Sequence, residues 1–256
     1  MNALYSYIVV FVATAVIFTP SSSFAHGDGR VSIEAENQTS LSASKNVELS
    51  FQLFDENTKK SVTEFDLNTS HTKKIHLIVY DSSLNEFSHT HPIFDGQVWK
   101  SELNLTTNGS YYAWAQGVLA DGTEFSTSYR FKVVGGKPAL ATITLGNNRK
   151  ANAGNTVIEL SKQEINAGKM IMLTYTVSRN DGTQPEVTPY LGANAHVIVV
   201  SPDGDNLIHA HPMDDKNSNT GMIHVTFPVY GDYRVWIQII DEGVLKVVPL
   251  SVTVKK

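Results

Sequence analysis

Over most of the chain, apolar and polar residues alternate in short runs and do not recur with a sustained helical period. Runs of this kind, rich in Val, Ile, Tyr, Phe and Thr and bounded by Asp, Asn, Gly and Ser clusters, mark β-strands. In the first half they predict strands at Val31–Glu36, Val47–Phe54, Ile75–Tyr80, Glu86–His91, Gln97–Leu105, Tyr111–Val118 and Glu124–Val134. About seven strands in roughly 110 residues is the count of an immunoglobulin-like sandwich.

The second half repeats the plan. Ile75-His76-Leu77-Ile78-Val79 aligns with Ala195-His196-Val197-Ile198-Val199, and His89-Thr90-His91-Pro92 with His209-Ala210-His211-Pro212. Gly109-Ser110-Tyr111-Tyr112-Ala113-Trp114 matches Gly231-Asp232-Tyr233-Arg234-Val235-Trp236. The offset is 120 residues at the histidines and 122 at the tryptophans. A repeat of domain length is a tandem duplication, since solenoid periods are shorter. The Gly/Pro-rich stretch Val134-Gly135-Gly136-Lys137-Pro138 marks the boundary, giving an all-β chain of two sandwich domains, 26–135 and 136–256. The Trp114 and Trp236 rings are expected in the cores.

Before the first domain, Tyr7 to Phe18 is almost wholly apolar and is followed by Pro20 and Ser23-Phe24-Ala25. A short apolar segment ending in a small-x-small site reads as a cleaved secretory signal over 1–25, although no Lys or Arg precedes it. It is short for a bilayer span, so the mature chain is expected to be periplasmic or secreted with no membrane span. Cleavage after Ala25 exposes His26, whose amine and imidazole together suit one metal ion.

Composition narrows the chemistry. The 256 residues are 41% hydrophobic and 18% charged, with a formal net charge of −5 and no cysteine. The acidic balance argues against nucleic acid as a partner, and the absence of cysteine excludes disulfides, thiolate metal sites and cysteine nucleophiles. No nucleophile elbow, phosphate loop or zincin motif occurs, and neither Glu86 nor Glu124 has an evident acid–base partner.

Six of the nine histidines fall in one pattern, H-x12-H-x-H-P, once per half: His76, His89, His91 and His196, His209, His211. Residues two apart on a strand share a face. A hairpin centred between Ser82 and Ser83 sets His76 across from His89 and Ile78 across from Phe87. One centred between Pro202 and Asp203 pairs His196 with His209. Three imidazoles per domain then converge at the rim of the core side, one ion to each domain, with Pro92 and Pro212 ending the strand. Asp95 and Asp215, three residues past each proline, suit a fourth ligand or a turn equally well. Neutral nitrogen ligands fit copper(II), zinc or nickel, and Met213 would add a soft ligand for copper(I), where the first half has Ile93. His71 and His224 lie outside the pattern and are read as surface residues.

The residues from His76 to Asp81, Phe87 to Pro92, Asp95-Gly96-Gln97-Val98-Trp99, Gly109 to Tyr111, and the lead-in Tyr190-Leu191-Gly192-Ala193-Asn194-Ala195-His196 resemble secreted bacterial immunoglobulin-like proteins related to the YtkA/FixH-like modules. About half of each domain takes part, and the Asp-Gly run before Trp99 lacks a counterpart in the second copy. The resemblance implies a copper or heavy-metal context. Together with the histidines it leads to an exported, non-catalytic protein that buffers, delivers or senses copper or zinc, with a membrane transporter or another exported metal protein as partner. The alternatives are a structural or adhesive tandem module without metal, and a copper or zinc metalloenzyme.

Overall fold

The computed structural model describes residues 29–35, 39–213 and 219–256. In chain order the first half contributes β1 (Val31–Glu34), β2 (Ser40–Ser42), β3 (Ser44–Asp55), β4 (Lys60–Ser61), β5 (Leu67–Asn68) and β6 (Ile75–Asp81). It continues with β7 (Phe87–Thr90), β8 (Ile93–Phe94), β9 (Trp99–Leu105), β10 (Gly109–Leu119) and β11 (Glu124–Val134). The second half contributes β12 (Lys150–Ala153), β13 (Thr156–Leu160), β14 (Met170–Arg179), β15 (Val187–Thr188) and β16 (His196–Val200). It ends with β17 (Leu207–Ala210), β18 (Thr220–Thr226), β19 (Gly231–Asp241) and β20 (Val244–Val254). All seven strands expected in the first half are present.

Each half is an immunoglobulin-like sandwich. In the first, one sheet runs β1-β3-β9-β8 and the other β2-β11-β10-β6-β7. The pairs are antiparallel except β2 with β11, so the chain closes the second sheet by a parallel edge. In the second half the sheets run β12-β13-β14-β18 and β15-β19-β16-β17, with β20 on the other side of β19. Both halves carry the tyrosine corner of this architecture. The Tyr111 hydroxyl donates to the Thr107 carbonyl at 3.0 Å, and Tyr233 does the same to Val229 at 2.8 Å.

Alternation along β3 and β14 fills the two sandwich cores: Leu49, Phe51 and Leu53 in the first, Leu173, Tyr175 and Val177 in the second. β6 and β16 behave differently, being buried along their whole length. Their Leu77 and Val79, and Val197 and Val199, enter the cores. The opposite faces, with Ile78, Tyr80, Ile198 and Val200, join Leu84, Leu207, Trp114 and Trp236 in a third apolar cluster where the two domains meet. Both tryptophans are thus buried, but in the contact between domains and not in a sandwich core. Sequence periodicity missed this, because a strand buried on both faces shows no alternation from which to tell its two sides apart.

The contact uses the same point of both hairpin turns, reached by different donors. Tyr80 donates its hydroxyl proton to the Gly204 carbonyl at 2.7 Å, and Arg234 Nε donates to the Leu84 carbonyl at 2.9 Å. Leu84 and Gly204 occupy equivalent points of the two hairpin turns and share a left-handed backbone, with φ of 60° and 75°. Arg130 also pairs with Asp205 across the contact. The segment after Val134 continues along the first domain through Lys137, whose N–H bonds the Thr106 carbonyl. Leu145 then packs against the shared cluster.

Candidate metal centre

Both hairpins close one residue later than the sequence suggests. Asp81 N–H bonds the Glu86 carbonyl and Ser201 N–H bonds the Asn206 carbonyl, enclosing four-residue loops. In each, a turn from residue 81 or 201 is followed by the left-handed Leu84 or Gly204. The register that follows sets Ile78 against His89 and Tyr80 against Phe87, and likewise Ile198 against His209. His76 therefore does not face His89 directly, nor His196 His209. A slip of two residues leaves every side chain on its expected face, so the histidines still share one. That face is the outer side of the sheet, turned toward the other domain, and not the core side.

Because both outer faces meet, the two trios lie against each other. The His89 and His209 ring centroids lie 5.0 Å apart, His76 and His209 5.2 Å, and His89 and His196 5.5 Å. Among the described residues, two sets have ligand nitrogens all within 4.8 Å of one another: His76, His89 and His209, and His196, His209 and His211. The first set draws on both domains, and His209 belongs to both sets.

The nitrogens facing away from the cluster are tied to acceptors. Nε2 of His76 lies 3.1 Å from the Ser70 carbonyl, and Nε2 of His196 lies 2.9 Å from that of Tyr190. Nδ1 of His89 is 2.7 Å from Oε1 of Gln238, and Nδ1 of His209 is 3.1 Å from Oε1 of Gln116. The Gln116 amide is oriented by its own Nε2 donating to Ser126. Carbonyl oxygens only accept, so each of these four neutral rings carries its one proton outward and turns its lone pair inward. The inward atoms then meet closely: His76 Nδ1 and His89 Nε2 at 3.1 Å, His196 Nδ1 and His209 Nε2 at 3.2 Å, and His211 Nε2 and His196 Nδ1 at 3.0 Å. Nε2 of His91 is buried with no hydrogen-bond partner among the described residues.

Facing lone pairs need a proton or a cation between them. Protons are disfavoured here. Burial, reinforced by the neighbouring rings, lowers His76 and His196 to about 4, His91 to about 3 and His211 to about 2. His89 and His209 lie well below the ordinary histidine range for the same reason. A cation bound at the usual zinc–nitrogen length of about 2.0–2.1 Å would hold tetrahedral nitrogens about 3.3 Å apart, close to the separations found. The donor set thus fits copper or zinc.

The other expected ligands fall differently. Asp95 accepts from the N–H groups of Gln97 and Val98 and pairs with Lys100, so its carboxylate serves a turn. His26 and Asp215 lie outside the described residues. His71 is exposed, as expected of a surface residue, and also stacks on His211 with centroids 3.5 Å apart. His224 is half-buried on β18. Gln116 and Gln238 escaped the sequence reading, although each stands two residues after the repeated tryptophan.

No curated protein matches the chain. Solved structures that resemble it include fibronectin(III)-like modules of Clostridium thermocellum CbhA, at 12% identity over 87% of this chain and 94% of that one, with a TM-score of 0.24. A region of a bacterial ice-binding adhesin gives 12% identity over 91% of this chain and 65% of that one, with a TM-score of 0.26. Salmonella alpha-2-macroglobulin gives 10% over 91%, where this chain spans only 15% of that protein, with a TM-score of 0.29. A family model described as a domain of unknown function, DUF8832, matches residues 25–135 and again 151–256, and the chain accordingly belongs to that family, with its domain present twice.

Proposed function

We propose that this is an exported, non-catalytic protein that binds copper or zinc in one imidazole centre built jointly by its two domains, and so buffers, delivers or senses the ion. The carrying observation is the set of outward nitrogens fixed on Ser70, Gln238, Tyr190 and Gln116, which aims four lone pairs inward, 3.1 Å and 3.2 Å apart within each domain's pair and with His209 within 4.8 Å of His76 and His89. The buried, unpartnered Nε2 of His91 adds a fifth donor without another evident use. Second-order support comes from the resemblance to the YtkA/FixH-like modules and their copper contexts.

The test is competitive titration of the mature chain with copper(II) or zinc against a chelator of known affinity. A joint centre predicts that His209→Ala weakens binding by the chain as a whole, since His209 belongs to both ligand sets. Uptake that merely halves would return the picture to one ion per domain. Uptake unchanged in a His89→Ala/His209→Ala double variant, with stability indifferent to chelator, would leave a tandem module without metal.

A further inference from the structure

The outer face of the sheet β12-β13-β14-β18, away from the imidazole centre, collects an unusual set of side chains. The chain has five methionines. Met170 and Met172 stand on β14, and Met222 on β18. Met213 N–H bonds the Met222 carbonyl at 2.8 Å, which places it beside the same edge. Leu173 and Tyr175 on one strand and Ile223 and Val225 on the other point into the core, so Met170, Met172, Met222 and His224 share the opposite face. Met172 is directly across from His224, and Met170 and Met222 are diagonal neighbours of that pair.

Three observations set this patch apart from ordinary packing. Methionine is normally a core filler, yet Met170, Met172 and Met213 are 70%, 53% and 53% exposed. Nε2 of His224 is buried with no hydrogen-bond partner among the described residues, although it lies on an outer face. The equivalent face of the first domain, on β3 and β9, carries Glu48, Ser50, Lys100 and Glu102, with Lys100 paired to Glu48. The fold therefore does not require thioethers there.

We propose that Met172, Met222 and His224 form a second metal site, selective for a soft monovalent ion such as copper(I), with Met170 too far along β14 to share an ion with Met222. Thioether sulfur binds soft ions well and hard divalent ions poorly, and the free imidazole nitrogen supplies a third, stronger donor. The site is independent of the imidazole centre. Its edge-strand position leaves it open to solvent, suited to receiving or passing on an ion.

Silver(I), a diamagnetic stand-in for copper(I), is added to the mature chain labelled with 13C-methyl methionine, and the methyl resonances are followed by NMR. The expected result is a saturable shift of the Met172 and Met222 methyls, larger than that of Met170, that persists in the His89→Ala variant. Met172→Leu/Met222→Leu keeps apolar volume on the outer face and is expected to lower affinity roughly tenfold or more. Methyl resonances that stay fixed as silver(I) is added to saturation, or an affinity untouched by the double variant, would overturn the proposal.

Discussion

Gln238 Oε1 accepts a 2.7 Å hydrogen bond from Nδ1 of His89, although 149 residues separate them. The reciprocal bond joins Gln116 to His209 at 3.1 Å. Each domain thus fixes the proton position on a histidine of the other, and neither could present its lone pairs alone in the same way.

Replacing Gln238 by Leu removes that acceptor and puts an apolar side chain of similar size in the buried position. Loss of a group that orients a ligand typically weakens metal affinity about 10–100-fold. Gln238→Leu is therefore expected to act on a histidine of the first domain, with no ligand altered, and competition titration reads the change. An affinity equal to that of the unaltered chain would show that the glutamines do not orient the site.

The metal-free protein should lose stability in mild acid. Burial places the folded values of His76 and His196 near 4, below the unfolded value of about 6.5. Above about pH 6.5 neither state takes up protons on these rings, and their contribution is complete. Below it, the unfolded chain binds protons that the folded chain refuses. Stability then falls as pH drops through the window from about 6.5 to about 4, by up to about 1.4 kcal/mol per pH unit for each such ring. Thermal unfolding in the presence of chelator measures this, and bound metal should raise the midpoint at each pH by mass action. A midpoint independent of pH across that window would contradict the buried, neutral rings.

Trp236 is buried between the domains, where its ring stacks on Phe87 at 4.7 Å and lies under the Arg234 guanidinium. Trp236→Ala is expected to cost about 3–5 kcal/mol as the contact loses one of its two tryptophans. Since the ligand set spans the contact, metal affinity should fall with it, even though Trp236 is no ligand. Chemical denaturation and titration of the same variant test both effects.

The second sandwich has its own anchor in Asp241, whose side chain is 2% exposed and accepts from Arg179, Thr156 and the Glu186 N–H. The Arg179 guanidinium holds its carboxyl at about 2. Asp241→Ala leaves a buried guanidinium without its main partner and is expected to destabilise by about 3–5 kcal/mol. Urea unfolding checks this. A cost below about 1 kcal/mol would mean that water takes over the carboxylate's role.

Alternation and turn residues were enough to read the strands, the duplication and the histidine pattern, because strand period and local turn chemistry are written in neighbouring residues. Even the misplaced hairpin centre did no harm to the histidines' shared face, since an error of two residues preserves the pleat. The sequence could not decide which face of β6 and β16 was the core, since both are apolar and both are buried. That choice depends on the other domain covering the outer face, a contact between residues more than a hundred positions apart. Only the tertiary structure therefore brought the two expected trios against each other, set His71 and the two glutamines beside them, and left four methionines on or beside one edge of a sheet.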